Sequence, residues 1–600
     1  MREYSTPLQV EIPATGNLTD DVVGNGTEHP SAVVFSRRTA QGWSDVTAAT
    51  FLTEVRAVAK GLVAAGVEPG DRVALLSRTR YEWTLFDYAI WFAGAVTVPI
   101  YETSSAEQIE WILADSGARA AVVETSEHTT RLKEIRDGLP ELHHVWSIET
   151  GNESGAVSVL TTLGEEIGDE QLEERRTAAG PDSPATLIYT SGTTGRPKGC
   201  VLTHGNFTFE LTVAVDELEK LFDTEGAATL LFLPLAHVFA RIIQVGCVKA
   251  RVRMGHSADI KNLLDDFEAF RPTFILAVPR VFEKVFNTAS QRAVADGKGR
   301  IFNRAAEVAM AWSRGLETGR TSLAVKAQHA VFDKLVYAKL RTALGGRCEY
   351  AVSGGAPLGD RLGHFYRGIG VNVLEGYGLT ETTAALTVNL PNAQKVGTVG
   401  RPLQGTEVRV ADDGELLFRG GQVFASYWNN PAATAEAKEA DGWFHTGDVG
   451  EIDDEGFVKI TGRKKEILVT AGGKNVAPAV LEDRLRAHLL VDQCIVVGDG
   501  RPFIGVLITL DRETVPAWAE QRGKTTDIAK LVDDPDLRAE IEAAVEDANK
   551  AVSKAESIRK FTILPGEWTE EGGQLTPSLK LKRNVVMREH VDDVEALYSR

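Results

Sequence analysis

Tyr189-Thr-Ser-Gly-Thr-Thr-Gly-Arg-Pro-Lys-Gly199 follows an apolar, strand-like run, Ala185-Thr-Leu-Ile-Tyr189, and precedes a helical segment. Gly192, Gly195 and Gly199 let the backbone bend and approach a ligand closely. Thr190, Ser191, Thr193 and Thr194 add hydroxyl donors, and Lys198 adds a positive charge. A loop with that inventory suits a polyphosphate, because amides and hydroxyls turn inward while the cation offsets anionic charge. It lacks the Gly-Lys-[Ser/Thr] ending of the common nucleotide phosphate loop. The bland alternative is a flexible Gly/Thr linker, which has no reason to sit between a buried strand and a helix.

On either side of this loop, short β-branched runs alternate with longer helical patterns. Arg72–Ser77, Val96–Ile100 and Ala118–Val123 read as strands, Phe51–Ala65 and Ser105–Ser116 as helices. Such alternation predicts an α/β fold with mostly parallel, buried strands. Residues 1 to about 30 are polar and turn-rich and read as an extended arm. Residues 407–460 carry short strands and Gly-Asp turns, as in an antiparallel sheet. The chain divides near residue 464: a large domain over 1–463, made of stacked α/β subdomains and a small β-rich one, and a mobile α+β domain over 464–600. The length of 600 residues alone calls for more than one core.

Composition narrows the function classes. A formal net charge of −19 argues against general nucleic-acid binding, which needs basic surface. The four cysteines, at 200, 247, 348 and 494, form no Cys-x-x-Cys pair, so neither a disulfide framework nor a zinc site is expected and a reducing cytoplasm fits. The N-terminus carries no apolar signal segment. The longest apolar stretch, between Asp87 and Glu102, is interrupted by Pro99 and shorter than the roughly 20 residues a bilayer span requires.

Further motifs follow in order: Leu233-Pro-Leu-Ala-His-Val-Phe239, Ser353-Gly-Gly-Ala-Pro357, Glu375-Gly-Tyr-Gly-Leu-Thr-Glu381, Trp443-Phe-His-Thr-Gly-Asp448, Gly462-Arg-Lys-Lys-Glu-Ile467 and Leu575-Thr-Pro-Ser-Leu-Lys-Leu-Lys-Arg583. Each has a physical rationale. Gly354, Gly355 and Ala356 carry so little side chain that a flat base can lie against the backbone, with Tyr377 available to stack. Glu381 and Thr190 are oxygen ligands suited to magnesium. Asp448, in a Gly-Asp turn, can accept hydrogen bonds from two hydroxyls. A lysine near the C-terminus can neutralise charge building between two anions.

Together with the Tyr189–Gly199 loop, these segments resemble, in order, the motifs of the adenylate-forming superfamily: acyl-CoA synthetases, firefly-type luciferases and peptide-synthetase adenylation domains. The resemblance covers roughly residues 30–590. It implies ATP contacts at Thr190–Gly195, Lys198, Gly354–Ala356, Glu375–Gly378, Thr380, Asp448 and Arg463, and a magnesium ion at Glu381 and Thr190. It makes Lys580 the catalytic lysine, with Lys582 the competing choice because Ser578-Leu-Lys580 departs from the commoner Ser-Gly-Lys. His237 falls between acyl pocket and nucleotide, alongside Glu381 among the catalytic candidates. The family rotates its small domain between adenylation and thiol transfer. That places the hinge at Lys465 and the coenzyme A passage at Gly472 and Gly473.

Between Lys298 and Arg341 nine Lys or Arg face three Asp or Glu, and Ile301, Phe302, Ala305, Val308, Ala309 and Trp312 read as one helical face. A basic segment in this place, and the Leu-Lys-Leu-Lys-Arg ending, resemble bacterial long-chain fatty acyl-CoA synthetases. The implied reaction joins a fatty acid to coenzyme A through an acyl-adenylate, using ATP and magnesium. Residues 298–341 either meet anionic headgroups at the inner face of a membrane or form a solvated helical pair on a cytoplasmic enzyme. An acyl-AMP ligase loading a separate carrier protein, a luciferase-like oxygenase and a non-catalytic nucleotide sensor are the other readings. Chain-length preference, oligomeric state and regulation are not written in the motifs.

Overall fold

The computed structural model describes residues 1–39, 41–151, 154–190, 196–258, 262–576 and 580–599. A seven-stranded sheet forms the first layer, in the order Ser426–Tyr427, Lys198–Thr203, Pro184–Thr190, Val96–Ile100, Arg72–Leu76, Ala120–Val123, His144–Ser147. Its centre is parallel and buried on both faces, matching the near-continuous Val, Ala and Leu runs of those strands. The helices Ala48–Ala64 and Ala106–Ser116 lie where periodicity puts them, and Ser105 closes a capping box with Gln108. A second layer holds the sheets built on Ala228–Leu231 and Arg253–His256, and on Phe274–Ala277, Tyr350–Ser353 and Asn372–Tyr377. A third, antiparallel sheet comprises Glu3–Ser5, Glu407–Val410, Glu415–Arg419, Phe444–Ile452 and Val458–Arg463. Beyond Arg463 a separate core gathers on the strands Val491–Val497, Ile504–Leu510 and Ile558–Leu564.

Three expectations need correcting. Residues 1–30 are not an extended arm throughout. Glu3–Ser5 pairs antiparallel with Glu407–Val410, and Asp20–Glu28 is a helix that buries Val22. Both are held by distant partners, which local composition does not report. The strand before the phosphate loop leads into a second strand, not a helix: Pro184–Thr190 and Lys198–Thr203 form an antiparallel hairpin, and the helix starts at His204. In the 299–318 helix Phe302, Ala305, Val308 and Ala309 are buried, but Ile301 is half exposed. Ile301 lies at the start of that helix, outside the buried stripe.

One buried pair ties the layers together. Asp87 and Arg241 are fully buried, the guanidinium Nε donating to Asp87 Oδ2 at 2.9 Å and an Nη to Thr186 Oγ1 at 2.6 Å. The helix that begins just after His237 is thereby fixed to the strand that leads into the phosphate loop. Leaving either ion alone in that interior would cost about 3–5 kcal/mol.

Candidate active site

One corner of the site is built by the third sheet. Asp448 and Arg463 lie directly opposite each other on adjacent strands, Nε to Oδ1 at 3.3 Å. Tyr377, at the end of Asn372–Tyr377, donates its hydroxyl to Asp448 Oδ2 at 2.6 Å. Burial pushes the Asp448 carboxyl above its ordinary value, while the Arg463 and Lys580 cations pull it back.

Beside it runs the loop Gly354–Leu358, after the strand Tyr350–Ser353. Glu375 reaches this loop through the backbone: its Oε1 accepts the Leu358 N–H at 2.9 Å, and burial raises the carboxyl to about 7. Gly378 permits the chain to double back on itself, since a Cβ there would lie 1.4 Å from the Ala384 carbonyl. The turn Thr380–Thr382 carries Glu381, and two non-glycine residues with positive φ follow, Thr383 at 54° and Ala384 at 104°. Strained backbone of this kind persists where the surroundings fix it, and it clusters at functional sites.

Thr190 and Lys198 face each other at the mouth of the hairpin. Ser191, Gly192, Thr193, Thr194 and Gly195 lie outside the described residues. Lys198 Nζ stands 5.2 Å from the centre of the Tyr427 ring, and Tyr427 donates its hydroxyl to Glu381 Oε1 at 2.7 Å. The tyrosine therefore links the phosphate-loop cation to the carboxylate proposed for the metal. Burial and the Glu381 charge push its hydroxyl pKa upward, so it stays a donor. Motif reading missed Tyr427. Its signal was the aromatic pair ahead of an Asn-Asn-Pro turn, which only the strand Ser426–Tyr427, paired to Lys198–Thr203, turns into a contact.

Lys580 comes to this bed from the small domain. A Cβ on Gly355 would lie 3.7 Å from Lys580 Cε and 3.8 Å from Nζ. Burial and the Arg463 charge lower its pKa, with Asp448 opposing them. Lys582, the competing choice, instead precedes the helix Arg583–Glu589, its N–H bonded to Gln574 O, and Arg583 is paired with Glu482. Gly355 and Lys580 share a cleft of about 490 Å³ with His237, Phe239, Val278 and Val281, and Asp492, Leu510 and Arg512 line it from beyond residue 464. His237 caps its own helix, Nδ1 accepting the Phe239 N–H at 3.2 Å, and burial with the nearby Lys580 cation lowers its pKa to about 3. It is a neutral imidazole across the physiological range.

Lys465 sits in the short turn Lys464–Glu466 that leaves the third sheet. Gly472 and Gly473 form the exposed tip of the hairpin Leu468–Val469/Asn475–Val476, with Gly473 at φ +75°. They do not line the cleft that Lys580 enters. The remaining residues converge: Gly354, Gly355, Ala356, Gly376, Tyr377, Gly378, Thr380, Glu381, Asp448, Arg463 and Lys580 gather where the ends of the second-layer strands meet the third sheet.

Residues 24–428 match the family model described as AMP-binding enzyme, and 465–600 match the AMP-binding enzyme C-terminal domain. The chain belongs to the AMP-binding, adenylate-forming enzyme family. It is 52% identical over 602 residues, spanning the full length of both proteins, to the long-chain-fatty-acid–CoA ligase FadD15 of Mycobacterium bovis. It is 30% identical to the long-chain-fatty-acid–CoA ligase ACSBG2 of Xenopus laevis, over 94% of this chain and 81% of that one. Among solved structures it resembles the anthranilate CoA ligase AuaEII in complex with anthranoyl-AMP, with a TM-score of 0.73 at 20% identity, covering 96% of this chain and 98% of that chain. The adenylation domain of a Mycobacterium chelonae carboxylate reductase gives a TM-score of 0.74 at 22% identity, covering 97% and 91%. These two likenesses establish the fold.

Proposed function

We propose that the chain joins a long-chain fatty acid to coenzyme A in two steps at one cleft. Acid and ATP give acyl-AMP and pyrophosphate, and the thiol then takes the acyl group and releases AMP. The observation that carries the reading is the arrival of Lys580 at Gly355, beside the Asp448–Arg463 corner and in the cleft that also holds His237. Full-length identity of 52% to a long-chain-fatty-acid–CoA ligase supports the choice of acid and thiol.

In this reading Asp448 accepts the ribose hydroxyls, Arg463 and Tyr377 hold its carboxylate, and Gly354–Ala356 border the base. Lys580 bridges the attacking carboxylate oxygen and the α-phosphate, where two anions meet and negative charge builds. Lys198 meets the outer phosphates together with Thr190–Gly195. His237, neutral and capping its helix, separates acyl chain from nucleotide. Glu381 and Thr190 would hold a magnesium ion. One carboxylate and one hydroxyl suit a cation that keeps waters and leans on substrate phosphates. Among the described residues no group of three or more His, Cys, Asp or Glu is placed to hold a metal by itself. Such an ion supplies charge neutralisation on the phosphates. For thiol transfer the small domain turns about Lys465, withdrawing Lys580 and bringing Gly472 and Gly473 to the cleft as a passage for the pantetheine arm.

No helix among the described residues is long and apolar enough to cross a membrane. We place the enzyme in the cytoplasm, meeting the inner face of the membrane through residues 298–341. Incubation with ATP, palmitate and coenzyme A tests the reaction: AMP and thioester should appear in equal amounts, with AMP release dependent on coenzyme A. Acyl-AMP that accumulates regardless of coenzyme A, and is discharged only onto a carrier protein, overturns the choice of thiol.

A further inference from the structure

Within residues 298–341 the outward face of one helix has a composition that water alone does not explain. The segment runs as the helix Gly299–Thr318, the helix Leu323–Phe332, a wide turn over Asp333–Tyr337 and the helix Ala338–Ala343. The inner side of the second helix is occupied: Trp312 stacks on His329 at 4.3 Å, His329 Nε2 bonds to Gly368 O at 2.7 Å, and Phe332 and Val336 pack on the core. The outer side carries Leu323 (83% exposed), Val331 (56%) and Leu335 (57%), spaced eight and four residues apart. Four residues along an α-helix overshoot a full turn by about 40°. Leu323 and Val331, eight residues apart, therefore differ by about 80°, and with Leu335 they occupy a broad outer face rather than a single line. An exposed helix face normally turns polar residues to water, and an apolar stripe there marks a surface that binds something.

The charge around the stripe says what. Lys326, Lys334 and Lys339 are exposed along it, and among the described residues none of them makes an ion pair. The acids of the segment are already neutralised: Glu307 by Arg304, Glu317 by Arg367 and Asp333 by Arg341. The result is an exposed apolar face interspersed with free cations on a chain whose net charge is −19. We infer that Leu323, Val331 and Leu335 enter the headgroup boundary of an anionic bilayer while Lys326, Lys334 and Lys339 meet its phosphates. The inference rests on the membrane reading above and narrows it to one helix face. It also gives that reading a purpose, since a long-chain acid is held in the bilayer.

Sedimentation of the full chain with phosphatidylcholine vesicles, with and without phosphatidylglycerol, tests it. Wild type should partition onto the anionic vesicles and weakly onto the neutral ones. Lys326→Gln/Lys334→Gln/Lys339→Gln should lose about 100-fold on anionic vesicles and little on neutral ones. Leu323→Ser/Val331→Ser/Leu335→Ser should lose at least about tenfold on the anionic vesicles, each leucine or valine side chain burying several methylene equivalents. Both variants should keep wild-type AMP release with octanoate, which confirms folding because every changed residue is exposed. If wild type binds anionic vesicles and the variants bind equally well, another surface makes the contact and the stripe is wrong, while the broader membrane reading survives. If wild type binds neither vesicle, both fall. A concentration-dependent dimer abolished by the serine variant would make a second copy the occupant and overturn the inference. None of these outcomes bears on ligase activity, which the palmitate assay reads separately.

Discussion

At the Asp448 corner both carboxylate oxygens have partners, in Tyr377 and Arg463, and the carboxylate is buried. At the Gly472–Gly473 hairpin the chain is exposed, and a Cβ added at Gly473 would meet nothing within 4 Å. One site is finished; the other is a loop in solvent. On the proposed two-step reading, the difference corresponds to a small domain set for the first half-reaction, with Lys580 at Gly355 and the proposed thiol passage turned away.

The largest effect should come from Lys580→Ala. Acyl-adenylate formation, followed by pyrophosphate release, should fall about 10²–10³-fold. Thioester formation from pre-made acyl-AMP should change less than about threefold, because the proposed rotation about Lys465 withdraws Lys580 in that state. Equal loss in both halves would break the comparison. Gly473→Val should do the reverse: a β-branched side chain is strained at φ +75° and fills the proposed passage. Thioester formation should drop about tenfold or more, with pyrophosphate release unchanged.

Tyr427→Phe removes the hydroxyl bonded to Glu381 but keeps the ring beside Lys198. A hydrogen bond to a charged group is worth about 1.5–3 kcal/mol, so the apparent KM for magnesium-ATP should rise about tenfold or more. The maximal rate at saturating magnesium should be kept. A variant that loses only rate would make Tyr427 a packing residue. The pH profile sharpens the same half. In its proposed role Lys580 must be an ammonium, and its pKa is lowered by burial and Arg463. Adenylation should therefore decline on the alkaline side before an ordinary lysine would titrate, whereas Lys580→Arg should remove that decline. The smallest effect belongs to Arg280, which pairs with Asp492 across the cleft in a partly exposed bridge. Such pairs are worth about 0–1 kcal/mol, so Arg280→Gln should slow adenylation by no more than about fivefold, with thiol transfer equal or faster.

Motifs made of contiguous residues were legible because their chemistry is local. Glycines, hydroxyls and one lysine within eleven residues describe a phosphate loop without any knowledge of what surrounds it. The same holds for Gly354–Ala356 and for the Gly-Asp turn at 447–448. What the sequence hides is how segments meet. Glu381 and Tyr427 are 46 residues apart and joined by one hydrogen bond, and nothing in either motif announces the other. Ile301 carries the right residue type for a buried stripe but sits at a helix start where neighbours do not reach it. The resemblance already favoured Lys580 over Lys582, and tertiary placement sets the two further apart, one lining the cleft and the other preceding a helix. The helix Asp20–Glu28 was illegible for a related reason: it is short, contains Gly24 and Gly26, and draws its order from packing rather than propensity.

The strand Glu3–Ser5 completes the outer edge of the sheet whose opposite edge carries Arg463. Stripped of it, Glu407–Val410 would present a row of unpaired amides and carbonyls to any passing chain. A purification tag or trimming at the front of the chain therefore bears on colloidal behaviour as well as on activity. Preparations shortened by a handful of residues should be the first to cloud on concentration, with the cleft itself untouched.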